Sequence, residues 1–297
     1  MNTLHKCIPT LVSTLLLLWI TLTSPAEAQA MNQFSLGVNA YRQHDYELAL
    51  ATFTQIIEQE DSDSLSAAYG NRCLIELELE AYQAAIADCT RSLQLNPTSS
   101  ESYLNRGLAH YRVHEYGAAI EDYGRQLQQT ADDYRAFYNR GLAQAGLSHY
   151  AQAIQDYTQA IALSPESPTQ RIAQVYADRG SAYLATGEYQ KAASDFSQTI
   201  AYDASNVEAY LNRAYASHLL NNDAAALRDL NRVLALDPTH AKTHFNLGML
   251  RYQLGQIEGA IASFEQAAQY FFHQNASDDY ARVMTILNQL QLPSAFG

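Results

Sequence analysis

Small and large apolar residues return along the chain at fixed intervals. A small residue stands at Gly37, Cys73, Gly107, Gly141, Gly180, Ala214 and Gly248, with separations of 36, 34, 34, 39, 34 and 34 residues. Twelve positions after each comes an alanine: Ala49, Ala85, Ala119, Ala153, Ala192, Ala226 and Ala260. Four positions later stands a mostly large apolar residue: Phe53, Cys89, Tyr123, Tyr157, Phe196, Leu230 and Phe264. Residues four apart share one face of an α-helix. Small residues at fixed places on two consecutive helical segments let the backbones approach closely, and the aromatic fills the space beside them. The period predicts seven helical hairpins over residues 31–272.

Turn and breaker residues agree with this division. Asn96-Pro97, Ser164-Pro165 and Asp237-Pro238 end a second helix where proline cannot continue it. Turns inside the hairpins fall near His44-Asp45-Tyr46, His114-Glu115-Tyr116 and Thr186-Gly187-Glu188-Tyr189. A helix-turn-helix of 34 residues with tyrosine, small residue, tyrosine, alanine, aromatic and proline in this order resembles the tetratricopeptide repeat (TPR) family, and the likeness recurs seven times. The expected proline is missing after copies 3 and 5, where Ala131-Asp132-Asp133 and Asp203-Ala204-Ser205 instead offer N-caps to the next hairpin. The resemblance implies an all-α fold, a right-handed α-α superhelix whose concave groove is lined by the first helix of each pair. Stacked repeats share a core that no single hairpin can build, so the ends need covering. Residues 273–297 supply a cover: Tyr280, Val283, Met284, Leu287 and Leu290 follow the helical pattern behind Ser277-Asp278-Asp279, up to Pro293. Five extra residues between copies 4 and 5, with Ser167 as N-cap and Pro168 at the first helical position, predict a first helix lengthened by more than one turn, a hinge being the other reading. The acidic stretch from Glu58 to Asp63 reads as a solvated loop.

Four copies carry Asn-Arg before the small residue, and the two residue types behave differently. Arginine occupies its place in copies 2 to 6, as Arg72, Arg106, Arg140, Arg179 and Arg213, while copies 1 and 7 have Leu36 and Leu247. Sixteen residues on, the same copies carry Asp88, Asp122, Asp156, Asp195 and Asp229, and copies 1 and 7 have Thr52 and Ser263. Residues that appear and vanish together predict five ion pairs, each joining the two helices of its own hairpin.

The asparagine lies where the resemblance places ligand contacts: Asn71, Asn105, Asn139, Asn212 and Asn246, with Asp178 in copy 5. A primary amide carries a donor and an acceptor, so a row of them suits the backbone of an extended peptide. The other reading, that these amides meet only water, stays open. Tyr41, Arg42, Tyr111, Arg112, Arg135, Tyr138, Tyr215, His218 and Tyr252 are groove candidates in the same register, and Tyr and Arg are frequent binding anchors. Tyr46, Tyr82, Tyr116, Tyr150 and Tyr189 recur at one place before the second helix and read as core. A carboxylate clamp of the kind the family uses on chaperone C-termini is not expected, since no copy carries the arginine its third repeat needs.

Composition limits the partners. With 18 Lys+Arg against 31 Asp+Glu the net charge is −13, a field that repels nucleic acid and anionic membrane surfaces. At the N-terminus Lys6 precedes an apolar run that ends in Ala28-Gln29-Ala30, which reads as a secretory signal peptide over residues 1–30, with an uncleaved membrane anchor as the rival. Cys7 lies before the apolar run, so a lipoprotein anchor is not supported. Export places the protein in a periplasmic, lumenal or extracellular space where disulfides persist. Cys73 and Cys89 take the small and the aromatic places of one hairpin, and a bridge between them and a pair of small buried hydrophobes are both open. No phosphate loop, CxxC pair or HExxH occurs. His110 with His114, and His240 with His244, have metal-like spacing but straddle helix ends, and Asn275-Ala276-Ser277 matches a glycosylation acceptor whose serine serves better as a cap. The sequence therefore points to an exported, non-enzymatic scaffold without cofactor or metal, binding a protein or peptide partner. A self-assembling module that oligomerises through its ends or convex face is the alternative.

Overall fold

The computed structural model describes residues 25–59, 64–164 and 170–291, and all regular structure among them is helical. The chain divides into two compact units, Met1–Thr98 and Ser99–Gly297. The first holds two hairpins, α1 (Pro25–Arg42) with α2 (Tyr46–Glu58) and α3 (Leu65–Glu78) with α4 (Tyr82–Leu95). The second holds five: α5 (Ser100–Arg112) with α6 (Tyr116–Gln129), α7 (Tyr134–Gly146) with α8 (Tyr150–Leu163), and α9 (Gln170–Ala185) with α10 (Tyr189–Tyr202). Then come α11 (Val207–Leu219) with α12 (Asp223–Leu236), α13 (Ala241–Gln253) with α14 (Ile257–His273), and a last helix, α15 (Ser277–Gln291). Within each unit every helix packs chiefly on its neighbours in the chain, the pairing a repeat solenoid requires. The apolar leader up to residue 24, loop residues 60–63, the Ser167-Pro168 cap and Pro293 lie outside the described residues.

The small residue is fixed by the ring that lies against it. A Cβ placed on Gly107 would stand 2.7 Å from the Tyr123 ring, on Gly141 2.6 Å from Tyr157 and on Gly248 2.7 Å from Phe264. Not even alanine fits without a shift. Where the first partner is Ala214, the second has shrunk to Leu230, and both remain buried. In the second hairpin Cys73 and Cys89 occupy the two places and are joined in a disulfide, with their Cα atoms 5.5 Å apart. The alternative that both are free buried thiols is thereby excluded.

Each hairpin turns through the same backbone device. Seven positions after the small residue the chain enters the left-handed region, at His44, Glu80, His114, Ser148, Gly187, Asn221 and Gly255. The next residue's N–H then reaches back to a carbonyl five residues earlier, as in Ala81 to Glu76 at 2.8 Å and Glu115 to His110 at 2.8 Å.

Helix starts follow the expected chemistry with one correction. Asp133 accepts from the N–H of Arg135 at the head of α7 (2.9 Å). At α11 the cap is Asn206, which accepts from Ala209 N–H at 2.9 Å, and not a residue of Asp203-Ala204-Ser205. Asp203 instead accepts from Ser205 and closes the preceding turn. Helix α9 has 16 described residues against 13 in α5, α7, α11 and α13, and its expected start at Ser167-Pro168 lies outside the described residues. Helix α15 covers the last hairpin: Val283 and Leu287 are buried against Ala267, Ala268 and Phe271, with Tyr280, Met284 and Leu290 packed beside them.

Candidate functional site

Five arginines lock the two helices of hairpins 2 to 6. Each guanidinium meets the aspartate sixteen residues on through Nε and Nη2, as in Arg106 to Asp122 at 2.8 and 2.7 Å and Arg140 to Asp156 at 2.8 and 2.7 Å. Arg72 with Asp88, Arg179 with Asp195 and Arg213 with Asp229 repeat the fork. Two-point binding suits the planar guanidinium. Two further features escaped the sequence reading. Each guanidinium lies over the aromatic ring three residues before it, Tyr69, Tyr103, Phe137, Tyr176 or Tyr210, at 5.5 to 5.8 Å. The free Nη1 of three of them donates to a hydroxyl of the preceding hairpin: Arg72 to Thr54 (3.2 Å), Arg179 to Thr158 (3.0 Å) and Arg213 to Ser197 (3.0 Å). These side chains are therefore structural and unavailable to a ligand.

One turn after Arg72, Glu76 has a buried Oε2 with no hydrogen-bond partner among the described residues. Burial, and then the charge of Asp88, push its pKa up to about 7.

The asparagine row lies two positions before the small residues, on the first helices. Asn71 spends its amide on the carbonyl of Ala67, 2.8 Å away on its own helix. The side chains of Asn105, Asn139, Asn212 and Asn246 hydrogen-bond to no other described residue. Their donors and acceptors are left for solvent or a ligand. Asp178, which replaces asparagine in α9, accepts from Tyr138 Oη (2.8 Å) and from the Gln174 amide (3.1 Å). Helices α7 and α9 thus bring two of the expected groove residues, Tyr138 and Asp178, into contact. Burial holds the Asp178 carboxyl above its ordinary range, and the same cause raises Tyr138.

The remaining candidates divide into occupied and open. Arg135 is engaged by carboxylates of its own chain, Asp133 and Glu101, both at 2.7 Å. That corrects its reading as an open anchor, since a ligand would have to displace both. Tyr41, in the first unit, leans on Tyr46 and reaches Glu78 at 3.4 Å. Tyr215 is 56% exposed and Tyr252 48%. Tyr215, Asn246 and His218 border a cleft of ≈ 200 Å³ between α11 and α13, whose floor includes Ala214, Leu230 and Leu250. Leu230 takes the place that a tyrosine or phenylalanine fills elsewhere, and the smaller side chain leaves the space open. Leu211, Met249 and Gln253 also line this cleft and were not singled out from the sequence.

The spaced histidines serve helix ends. His110 lies 2.6 Å from Glu115, His114 2.8 Å from Tyr116, His240 caps α13 through Thr243, and His244 donates to the Pro238 carbonyl at 2.9 Å. No helix among the described residues is long and apolar enough to cross a membrane.

Models described as tetratricopeptide repeat match residues 34–100, 134–167, 177–241 and 241–272. A solved tetratricopeptide repeat protein from Parabacteroides merdae covers 86% of this chain and 99% of its own, with a TM-score of 0.59 at 18% identity. YrrB, described as having an unusual peptide-binding site, covers 69% and 97%, with a TM-score of 0.56 at 19% identity. Serine/threonine-protein phosphatase T of Aspergillus oryzae is 35% identical over 66 residues, which make up 22% of this chain and only 13% of the phosphatase. The two solved structures support the fold alone.

Proposed function

The chain belongs to the tetratricopeptide repeat family, and from that premise we propose that it is an exported, non-enzymatic scaffold holding an extended or helical segment of a partner protein along its first helices. Proteins of this family bind protein or peptide partners and are generally non-catalytic. The observation that carries the reading is the row Asn105, Asn139, Asn212 and Asn246, four amides on α5, α7, α11 and α13 whose hydrogen bonds the rest of the described chain leaves unmade. Such a row suits a backbone, which offers a carbonyl and an N–H at every residue whatever its side chains. The cleft beside Tyr215 adds a place for one apolar side chain. Export rests on the N-terminal apolar run with its Ala28-Gln29-Ala30 ending, and the Cys73–Cys89 disulfide suits an oxidising compartment.

Affinity capture from the exported fraction, with the parent chain and with all four asparagines changed to alanine, tests this. The scaffold reading expects the captured partner to be lost while the helical circular dichroism is unchanged. Equal capture by both proteins would overturn it. A second reading, self-assembly, is favoured by Phe272, 65% exposed beside the groove between α14 and α15. Sedimentation at several concentrations separates the two, because a persistent monomer removes self-assembly.

A further inference from the structure

Asp178 is the one carboxylate in a row of amides, and it differs from the chain's buried aspartates among the described residues. Asp88, Asp122, Asp156, Asp195 and Asp229 each face an arginine fork. Asp178 sits part-buried on α9 with two neutral donors, Tyr138 Oη at 2.8 Å on one oxygen and the Gln174 amide at 3.1 Å on the other. Among the described residues no lysine, arginine or histidine pairs with it. Each carboxylate oxygen keeps a lone pair for a further donor. Tyr138 reaches the site from α7, and a phenol ring favours an ammonium or guanidinium over its face.

A part-buried carboxylate without a counter-charge is favourably placed to receive one. The fold does not need this charge, because Asn71, Asn105, Asn139, Asn212 and Asn246 hold the equivalent place in other hairpins. One carboxylate, one phenol and one amide make a poor cage for a metal ion, which takes several anionic or carbonyl oxygens. The set suits a single organic cation, and the net charge of −13 draws basic segments toward it.

We infer that Asp178 is the receptor for one lysine or arginine side chain of the bound partner segment, beside Tyr138. This rests on the scaffold reading above and adds selectivity to it: the asparagines hold the backbone and Asp178 chooses the residue.

The test uses short labelled peptides on one neutral background, with a single central position occupied by lysine, arginine, norleucine, citrulline or glutamate. Fluorescence polarisation against the whole chain and against D178N reads the affinities at low and high salt. The parent chain binds the lysine and arginine peptides about tenfold more tightly than their neutral counterparts, and the glutamate peptide most weakly. D178N loses the preference yet binds the neutral peptides as the parent does. A basic preference equal in the parent and D178N, or none in the parent, overturns the inference while the scaffold reading survives. Failure of every peptide to bind overturns both. The glutamate comparison on the parent chain needs no variant, so the inference stays falsifiable if D178N folds poorly.

Discussion

Removing the two partners of an Arg-Asp fork has unequal effects, because one is buried and the other reaches water. The Asp156 side chain is 7% exposed and that of Arg140 25%. R140L therefore strands a carboxylate inside the hairpin and costs about 3 kcal/mol, whereas D156S frees a guanidinium that can turn outward and costs about 1 kcal/mol. The double variant R140L/D156S installs the residue pair of the seventh hairpin, where Leu247 is buried and Ser263 Oγ donates to Gly259 on its own helix at 2.9 Å and accepts from Arg251, whose place in the fourth hairpin is held by Gln144. It is expected within about 1 kcal/mol of the parent in urea unfolding, a coupling that single substitutions cannot reveal. Glu76 supplies a second prediction. Its carboxyl titrates near 7 in the fold against an ordinary 4.5, so the folded chain holds a proton that the unfolded chain has lost between those values. The stability this proton contributes is full below 4.5 and is lost as pH rises through about 7, where Glu76 ionises beside Asp88. E76Q keeps the site neutral, flattens that dependence and stabilises the chain above neutrality by roughly 1 kcal/mol after allowance for partial exposure. Unfolding of both proteins on either side of neutrality checks the sign. The forks were legible because seven internal copies show arginine and aspartate vanishing together. Thr54, Thr158 and Ser197 were not, because their place is also filled by Gly124 and Asn231, which hide the pattern.

At the scale of the element, the hairpin turn was visible only as a region of punctuation. The residues that enter the left-handed conformation are two histidines, a glutamate, a serine, an asparagine and two glycines, which share no side-chain chemistry. What recurs is the backbone, set by two helices that must reverse within a fixed distance. Local cost therefore differs from copy to copy. Gly187 and Gly255 adopt the conformation freely, while Glu80, at φ 58° and exposed, adopts it against the contact of its own Cβ. E80G is expected to stabilise the chain by about 0.5–1 kcal/mol, measured as a rise in the unfolding midpoint. An equivalent change at His114 gains less, since its ring bonds to Tyr116 at 2.8 Å and that contact is lost. The cap at Asn206 was missed for a related reason. Asp203, Ser205 and Asn206 are all competent caps within four residues, and only the path of the chain decides which faces the open N–H groups. The contact of Tyr138 with Asp178 spans 40 residues and two hairpins, a distance over which sequence spacing predicts the face but not the partner.

For the whole molecule, stability belongs to neighbours. Each hairpin hides its apolar side only against the next, so the end of a unit is its weakest place. Helix α15 answers that need in Ser99–Gly297: without it Ala267, Ala268 and Phe271 would face water, and Arg282 would leave the ring of Phe245, now 4.9 Å from its guanidinium carbon. A chain ending at residue 276 is expected to lose amide protection first in α13 and α14, by at least about tenfold, while α5 to α8 keep theirs. The gradient follows from interactions confined to nearest neighbours, since losing the cover weakens the seventh hairpin directly and the third hardly at all. Hydrogen exchange read helix by helix decides the matter. A uniform loss across Ser99–Gly297 would mean that the unit unfolds as one cooperative body and that α15 contributes to all of it. The same local logic bears on function, because a partner bound along the asparagine row should protect α5, α7, α11 and α13, the helices that carry it.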